Sequence, residues 1–159
     1  ENYQDYKKPS MMIATSTCDW KCCRESGCDN SLCQNSSIAL QKTIDISDAK
    51  IVERYLNNPL THAVVVGGLE PFLQFGVLIS LISKFREFTD DDIVVYTGYY
   101  ESEIDDLTSS LVGFENIIVK FGRFIPNKSG RYDEVLGIHL SSDNQYGKRL
   151  NQANSLEES

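Results

Sequence analysis

The stretch Thr61-His62-Ala63-Val64-Val65-Val66-Gly67-Gly68-Leu69-Glu70-Pro71 decides the fold. Its β-branched apolar run reads as a buried strand, and Gly67-Gly68 gives that strand a tight exit. Pro71 then suits the first turn of a helix, where a missing N–H costs nothing. That helix carries Phe75, Leu78, Ile82 and Phe85 at spacings of three and four, a single core-facing stripe. The unit is strand, tight loop, helix.

Moving outward, the same unit recurs. Residues 92–97 (Asp-Ile-Val-Val-Tyr-Thr) form a strand that leaves through Gly98, and a short amphipathic helix is expected over 101–111. Residues 116–121 read as a fourth strand and 135–140 as a fifth. Upstream, residues 10–16 (Ser-Met-Met-Ile-Ala-Thr-Ser) read as a short buried strand. A helix follows from the N-cap candidate Ser47 to the stop at Asn57-Asn58-Pro59. This alternation implies parallel pairing through crossovers, hence one α/β domain of about four or five mostly parallel strands with crossover helices. The domain is expected to span residues 6–150, and the polar tail 151–159 to be disordered.

Ligand sites in such sheets lie at the carboxyl ends of the strands. The loops at that edge are Gly67-Gly68-Leu69-Glu70-Pro71, Thr97-Gly98-Tyr99, and a segment after the first strand that holds every cysteine of the chain. Cys18, Cys22, Cys23, Cys28 and Cys33 fall within 16 consecutive residues. A disulfide scaffold would spread an even number of cysteines across the fold. Packed into one loop, they point to thiolate ligation of a metal or an iron–sulfur cluster, with structural thiols or a redox pair as the other readings.

Composition narrows the classes. The 159 residues are 41% hydrophobic and 24% charged, enough to bury a core. Fifteen Lys and Arg against 23 Asp and Glu give a net charge of −8, which argues against a broad basic face for nucleic acid. Apolar runs are too short to span a bilayer, and no signal-peptide pattern opens the sequence, so a soluble, cytoplasmic domain is expected. There is no G-x-G-x-x-G, no Walker-type phosphate loop and no Ser-His-Asp logic. His62 and His139 sit within or beside apolar strands and read as structural.

Cys18-Asp-Trp-Lys-Cys22, Cys33-Gln34-Asn35 and Gly67-Gly68-Leu69-Glu70-Pro71 together resemble the radical S-adenosylmethionine (SAM) enzymes. Within that family the chain resembles the activating proteins of class III anaerobic ribonucleotide reductases. The resemblance takes in Tyr96-Thr97-Gly98-Tyr99, Gly122-Arg123-Phe124-Ile125 and Ser141-Ser142-Asp143-Asn144-Gln145. It implies a short partial (open) barrel, a [4Fe-4S] cluster, and SAM chelated to the iron that lacks a thiolate. An electron from the cluster then cleaves SAM to methionine and a 5′-deoxyadenosyl radical. The radical removes a hydrogen atom from a glycine of a partner, a glycyl radical enzyme such as the anaerobic reductase. The implied electron donor is a flavodoxin or ferredoxin.

Carried onto this sequence, the ligands are Cys18, Cys22 and Cys33. The family's C-x3-C-x2-C pattern keeps its first spacing, but Glu25 stands where the third cysteine belongs, and ten residues separate Cys22 from Cys33. Cys28 is the rival third ligand; Cys23 is an extra. Leu32 replaces the usual aromatic before the third cysteine. Gly67, Gly68, Glu70, Thr97 and Gly98 become cofactor-binding candidates: the glycines for close approach, Glu70 for the ammonium of SAM, Thr97 and Gly98 for ribose or methionine. Read on their own, Glu70 is also an ordinary acid before a helix, and Thr97-Gly98 an ordinary strand exit. Asn35 could orient the loop or cap a turn, and Trp20 could shield the cluster or simply pack. The second functional class is a non-catalytic module in which Cys18, Cys22, Cys28 and Cys33 hold one structural zinc.

Overall fold

A computed structural model describes residues 1–27, 29–33 and 35–150. Cys28, Gln34 and the tail 151–159 lie outside the described residues. The chain forms strands β1 (Ser10–Ala14), β2 (Ala63–Gly67), β3 (Asp92–Tyr96), β4 (Ile117–Phe121), β5 (Arg131–Asp133), β6 (Ile138–Leu140) and β7 (Tyr146–Arg149). Its helices are α1 (Lys21–Ser26), α2 (Ser36–Ala39), α3 (Asp48–Leu56), α4 (Phe75–Arg86) and α5 (Asp105–Leu111).

Five strands make the main sheet in the order β1-β2-β3-β4-β7. The first four run parallel, and β7 pairs antiparallel with β4. β1 and β7 are its two edges, so the sheet is open, as in a partial barrel. Every residue of β2 and of β4 is buried. Each buried valine of β2 contributes about 1.5–3 kcal/mol relative to exposure.

The two faces of the sheet are covered differently. Val64, Val66, Ile93, Val95, Ile117, Val119 and Phe121 share a core with α3, α4 and α5, through Val52, Tyr55, Leu78, Ile82, Phe85 and Leu111. The alternate residues Ala63, Val65, Val94 and Ile118 pack on Tyr6 of the N-terminal arm and on Leu136 and Leu140 of the β5–β6 hairpin. Below the hairpin, the Asp92 carboxylate accepts from Tyr6 (2.7 Å), Lys8 (3.0 Å) and Arg149 (3.0 Å). Burial opposes ionisation there, yet these donors hold Asp92 down to about 2.

Helix starts follow their local chemistry. The Ser47 hydroxyl accepts the Lys50 N–H (3.3 Å) and starts α3. Pro71 opens a 3₁₀ turn, Pro71–Gln74, that runs into α4. The stripe Leu78, Ile82 and Phe85 is buried, with Phe75 packed against it.

The expected fifth strand at 135–140 is corrected. Only Ile138–Leu140 is a strand, and it pairs with Arg131–Asp133 in a separate two-stranded sheet. The fifth strand of the main sheet is Tyr146–Arg149. It escapes pattern reading because an edge strand with one neighbour needs no apolar run, and Gly147-Lys148-Arg149 has none. Gly147 is required: a Cβ there would lie 2.7 Å from Leu136 Cγ. Among the described residues, no helix is long and apolar enough to cross a membrane.

Candidate functional site

The parallel strands end on one edge, and a cavity of about 610 Å³ opens there, on the face that carries the N-terminal arm and the hairpin. Cys18, Cys22 and Cys33 line it, as do Gly68, Glu70, Thr97 and Gly98. Gly67 stands one layer back, where its missing Cβ lets Tyr96 approach; a Cβ would lie 3.0 Å from Tyr96 Cβ. The structure therefore brings to one wall seven of the eight residues singled out from sequence.

The strand exits build a fixed acid. Glu70 is 5% exposed, and its carboxylate accepts from the Thr97 hydroxyl (2.8 Å), the Gly98 N–H (2.9 Å) and the Phe72 N–H (3.1 Å). Burial pushes its pKa up, against the pull of these donors and of the Lys120 charge. The Thr97 hydroxyl in turn accepts the Tyr99 N–H (3.0 Å). Thr97 is thus an orienting residue for Glu70 as much as a strand exit. Gly68 has φ 79°, and a Cβ on it would sit 3.0 Å from Ala14 Cβ, so its need for glycine comes from the backbone and the neighbouring strand. Gly98 answers to the site itself: a Cβ there would lie 3.1 Å from Cys22 Sγ and 3.7 Å from Glu70 Oε2.

The cysteine loop has its own anchors. Trp20, at φ 57° in the left-handed region, precedes α1 and donates its N–H to Cys18 Sγ (3.3 Å). The Asn35 N–H reaches Cys33 Sγ (3.4 Å), and the Phe124 amide favours the Cys22 thiolate. The Cys18 and Cys33 sulfurs each accept a backbone amide. The loop is tied to the sheet edge by Tyr99 donating to Asp19 (2.7 Å), by Lys21 to Glu103, and by Arg123, which pairs with Glu25 (2.7 Å) and with Glu103. The bond from Arg123 holds Glu103 down to about 2.

The two thiols nearest Glu70 differ in surroundings. Burial pushes Cys18 up to about 11, and the charges of Glu70 and Asp19 add to it. Burial also raises Cys22, but there the Phe124 amide and the positive Lys120 and Arg123 oppose the rise. Lys120 was missed in the sequence, although a lone lysine in Ile117-Ile118-Val119-Lys120-Phe121 is itself a signal. It is 6% exposed and lines the cavity. Burial lowers its pKa to about 8.

His139 lines the cavity and meets the Tyr132 ring edge-on at 5.2 Å, while His62 is exposed. Asn35 lines the cavity; Trp20 is half-buried. Cys23 is 4% exposed and reaches the cavity wall. Among the described residues, no three Cys, His, Asp or Glu side chains converge on a single metal ion.

The residues present fit an iron–sulfur cluster in three respects. Three thiols, soft ligands once deprotonated, face one cavity; the Cys18 and Cys33 sulfurs accept backbone amides, and the Phe124 amide favours the Cys22 thiolate; and Gly98 leaves room beside Cys22. No curated protein and no solved structure matches the chain. A family model described as 4Fe-4S single cluster domain matches residues 10–146, from the first residue of β1 to the first of β7, so the cavity and all three thiols fall inside the match. The chain belongs to the 4Fe-4S single cluster domain family, and it is an iron–sulfur protein.

Proposed function

We propose that the chain is a radical SAM activase, an enzyme that cleaves SAM reductively and generates a glycyl radical on a partner protein such as an anaerobic ribonucleotide reductase. The observation that carries this reading is the shared cavity: Cys18, Cys22 and Cys33 on one side, Glu70, Thr97 and Gly98 on the other. In the proposal, Cys18, Cys22 and Cys33 hold a [4Fe-4S] cluster that supplies one electron to the sulfonium of SAM.

The chain's own residues do the rest. Glu70 Oε1 is occupied by Thr97 and Phe72, while among the described residues Oε2 accepts only the Gly98 N–H, which leaves one lone pair for the ammonium of SAM. Because Thr97, Gly98 and Phe72 fix the carboxylate before any ligand arrives, no orientation remains to be imposed on binding. Gly98 keeps the passage between Cys22 and Glu70 free of a side chain. Ile138 and Leu140 of the hairpin, with Gln4 of the arm, close one flank of the cavity against water. The open flank suits a glycine-bearing loop delivered by a protein partner. A flavodoxin or ferredoxin is the proposed electron donor.

The test is anaerobic reconstitution of the full chain with iron and sulfide. The expected product is brown, absorbs near 400 nm by the chemistry of such clusters, and contains about four irons per chain. With dithionite and SAM it should release methionine and 5′-deoxyadenosine in equal amounts. Adding an anaerobic reductase should produce a doublet paramagnetic signal, lost when the partner's radical glycine is replaced by alanine. A colourless, air-stable chain with one zinc would overturn the proposal. So would turnover of a small molecule with no protein acceptor.

A further inference from the structure

Lys120 is a cation buried in a position that no packing requirement explains. Its neighbours along β4, Ile118, Val119 and Phe121, are all fully buried hydrophobics. An apolar residue there would avoid the cost of removing an ammonium from water, which is several kcal/mol. Among the described residues no carboxylate lies within ion-pair distance of Lys120 (4.0 Å). Among the described residues, its ammonium donates a hydrogen bond to the Gly122 carbonyl (3.2 Å) and lies over the face of the Tyr96 ring (5.4 Å to the centroid). An ammonium has three donors, so this environment leaves the charge under-compensated.

What it faces is the cavity wall that bears Cys22. Lys120 and Cys22 line the same space; the Lys120 carbonyl accepts the Thr97 N–H (2.9 Å), and a Cβ on the next residue, Gly98, would lie 3.1 Å from Cys22 Sγ. Cys18, by contrast, has Glu70 and Asp19 as its charged neighbours. The cations Lys120 and Arg123 thus act on Cys22, whereas the charges acting on Cys18 are the anions Glu70 and Asp19.

We infer that Lys120 is a potential-setting residue: its buried positive charge faces the Cys22 side of the cluster and makes the cluster easier to reduce. The inference rests on the proposal that Cys22 is a ligand. A cluster bound by three thiolates is negative, and one added electron makes it more so. A fixed cation in a low-dielectric wall stabilises the reduced form more than the oxidised one, and net charge nearby is one of the determinants of such potentials. Lys120 acts through Cys22 and the field, and no bond to iron is assigned to it.

The experiment is a redox titration, monitored by paramagnetic resonance, of the reconstituted full chain and of Lys120→Met, Lys120→Gln and Lys120→Arg. The two neutral variants should keep the iron and sulfide content of the wild type and move the midpoint potential in the negative direction. Lys120→Arg should bring it back toward the wild-type value. Using two neutral variants of different polarity guards against misfolding of one of them. An unchanged potential in both neutral variants overturns the inference. So does an unchanged potential with weaker SAM binding, because Lys120 would then meet the ligand's carboxylate instead. A wild-type chain that takes up no iron overturns the proposed function as well, and is recognised before any variant is made.

Discussion

The two halves of the cavity are built by different means. At the strand exits, Glu70 and Thr97 are 5% and 2% exposed, and hydrogen bonds from β3's end fix the carboxylate. In the cysteine loop the three ligand candidates are half-buried, and the loop is held by the Tyr99 hydroxyl and by the charged side chains of Glu103 and Arg123. One half is part of the folded core; the other is tethered to it. The difference teaches that the sheet positions the acid without help, while the thiols need a bound group to draw them together. If so, damage to each half should register in a different measurement.

The largest effect is expected from the thiols. Replacing Cys18, Cys22 or Cys33 singly by Ala should reduce bound iron from about four per chain to near zero. Apo-chain stability should move by only about 1 kcal/mol, since none of the three is fully buried. Iron and sulfide assays with urea unfolding of the apo chain read the two quantities separately. Full iron content in Cys33→Ala would leave the assignment of the third ligand wrong.

Glu70 should give the reverse pattern. Glu70→Ala strips the acceptor from Thr97, Gly98 and Phe72, and should cost the apo chain about 3 kcal/mol, while iron binding falls much less. Its titration has a definite sign. The folded pKa lies above the ordinary 4.5, so between 4.5 and the raised value the folded chain holds more protons than the unfolded one. Stability contributed by this group is therefore greatest at low pH and falls as pH rises through that window. Subtracting the pH profile of Glu70→Gln from that of the wild type should isolate this slope. A difference profile that rises with pH would mean the carboxylate is held by its donors more than it is penalised by burial.

The same division explains what could be read in the sequence. β2 to β4 were legible because burial on both faces leaves β-branched runs, and the α4 stripe because a helix face leaves a period; β1, expected to be buried, is a part-buried edge strand that was legible by its Met-Met-Ile-Ala run. The glycines and Glu70 were legible because close approach and tight exits restrict residue type. β7 was not, since Tyr146-Gly147-Lys148-Arg149 carries no apolar run. The Arg123–Glu25–Glu103 tie was not, because charged residues 20 or more positions apart show no spacing rule. Lys120 could have been found, as a charge inside an otherwise apolar strand.

A smaller effect is expected where the tether itself is cut. Glu103→Gln removes the anion shared by Lys21 and Arg123. The Lys21 pair is partly exposed, but Arg123 is buried and keeps only Glu25 as an anionic partner, so global stability should fall by about 2 kcal/mol. Hydrogen exchange in residues 19–26 should nevertheless accelerate several-fold, because their anchor is gone. In the wild type, Glu103 is held down to about 2, so this tie is complete above the ordinary 4.5 and is lost as pH falls through about 2. Unchanged exchange in the variant would show that Asp19 and Glu25 alone suffice to hold the loop.

The smallest effect should come from Cys23, and that makes it the sharpest control. It follows Cys22 directly on α1, so successive side chains diverge by about 100° around the helix, and a cluster held by Cys22 cannot readily take both. Cys23 is 4% exposed, so Cys23→Ala should cost about 1 kcal/mol of stability through lost packing. Iron content, sulfide content and the visible spectrum should all match the wild type. Because Cys23 also reaches the cavity wall, the contrast is a demanding one: two adjacent thiols lining one space, one essential for iron and the other dispensable. Loss of iron in Cys23→Ala together with retention in Cys22→Ala would exchange their roles, and the Phe124 amide and the Lys120 charge would then surround a thiol that binds no metal.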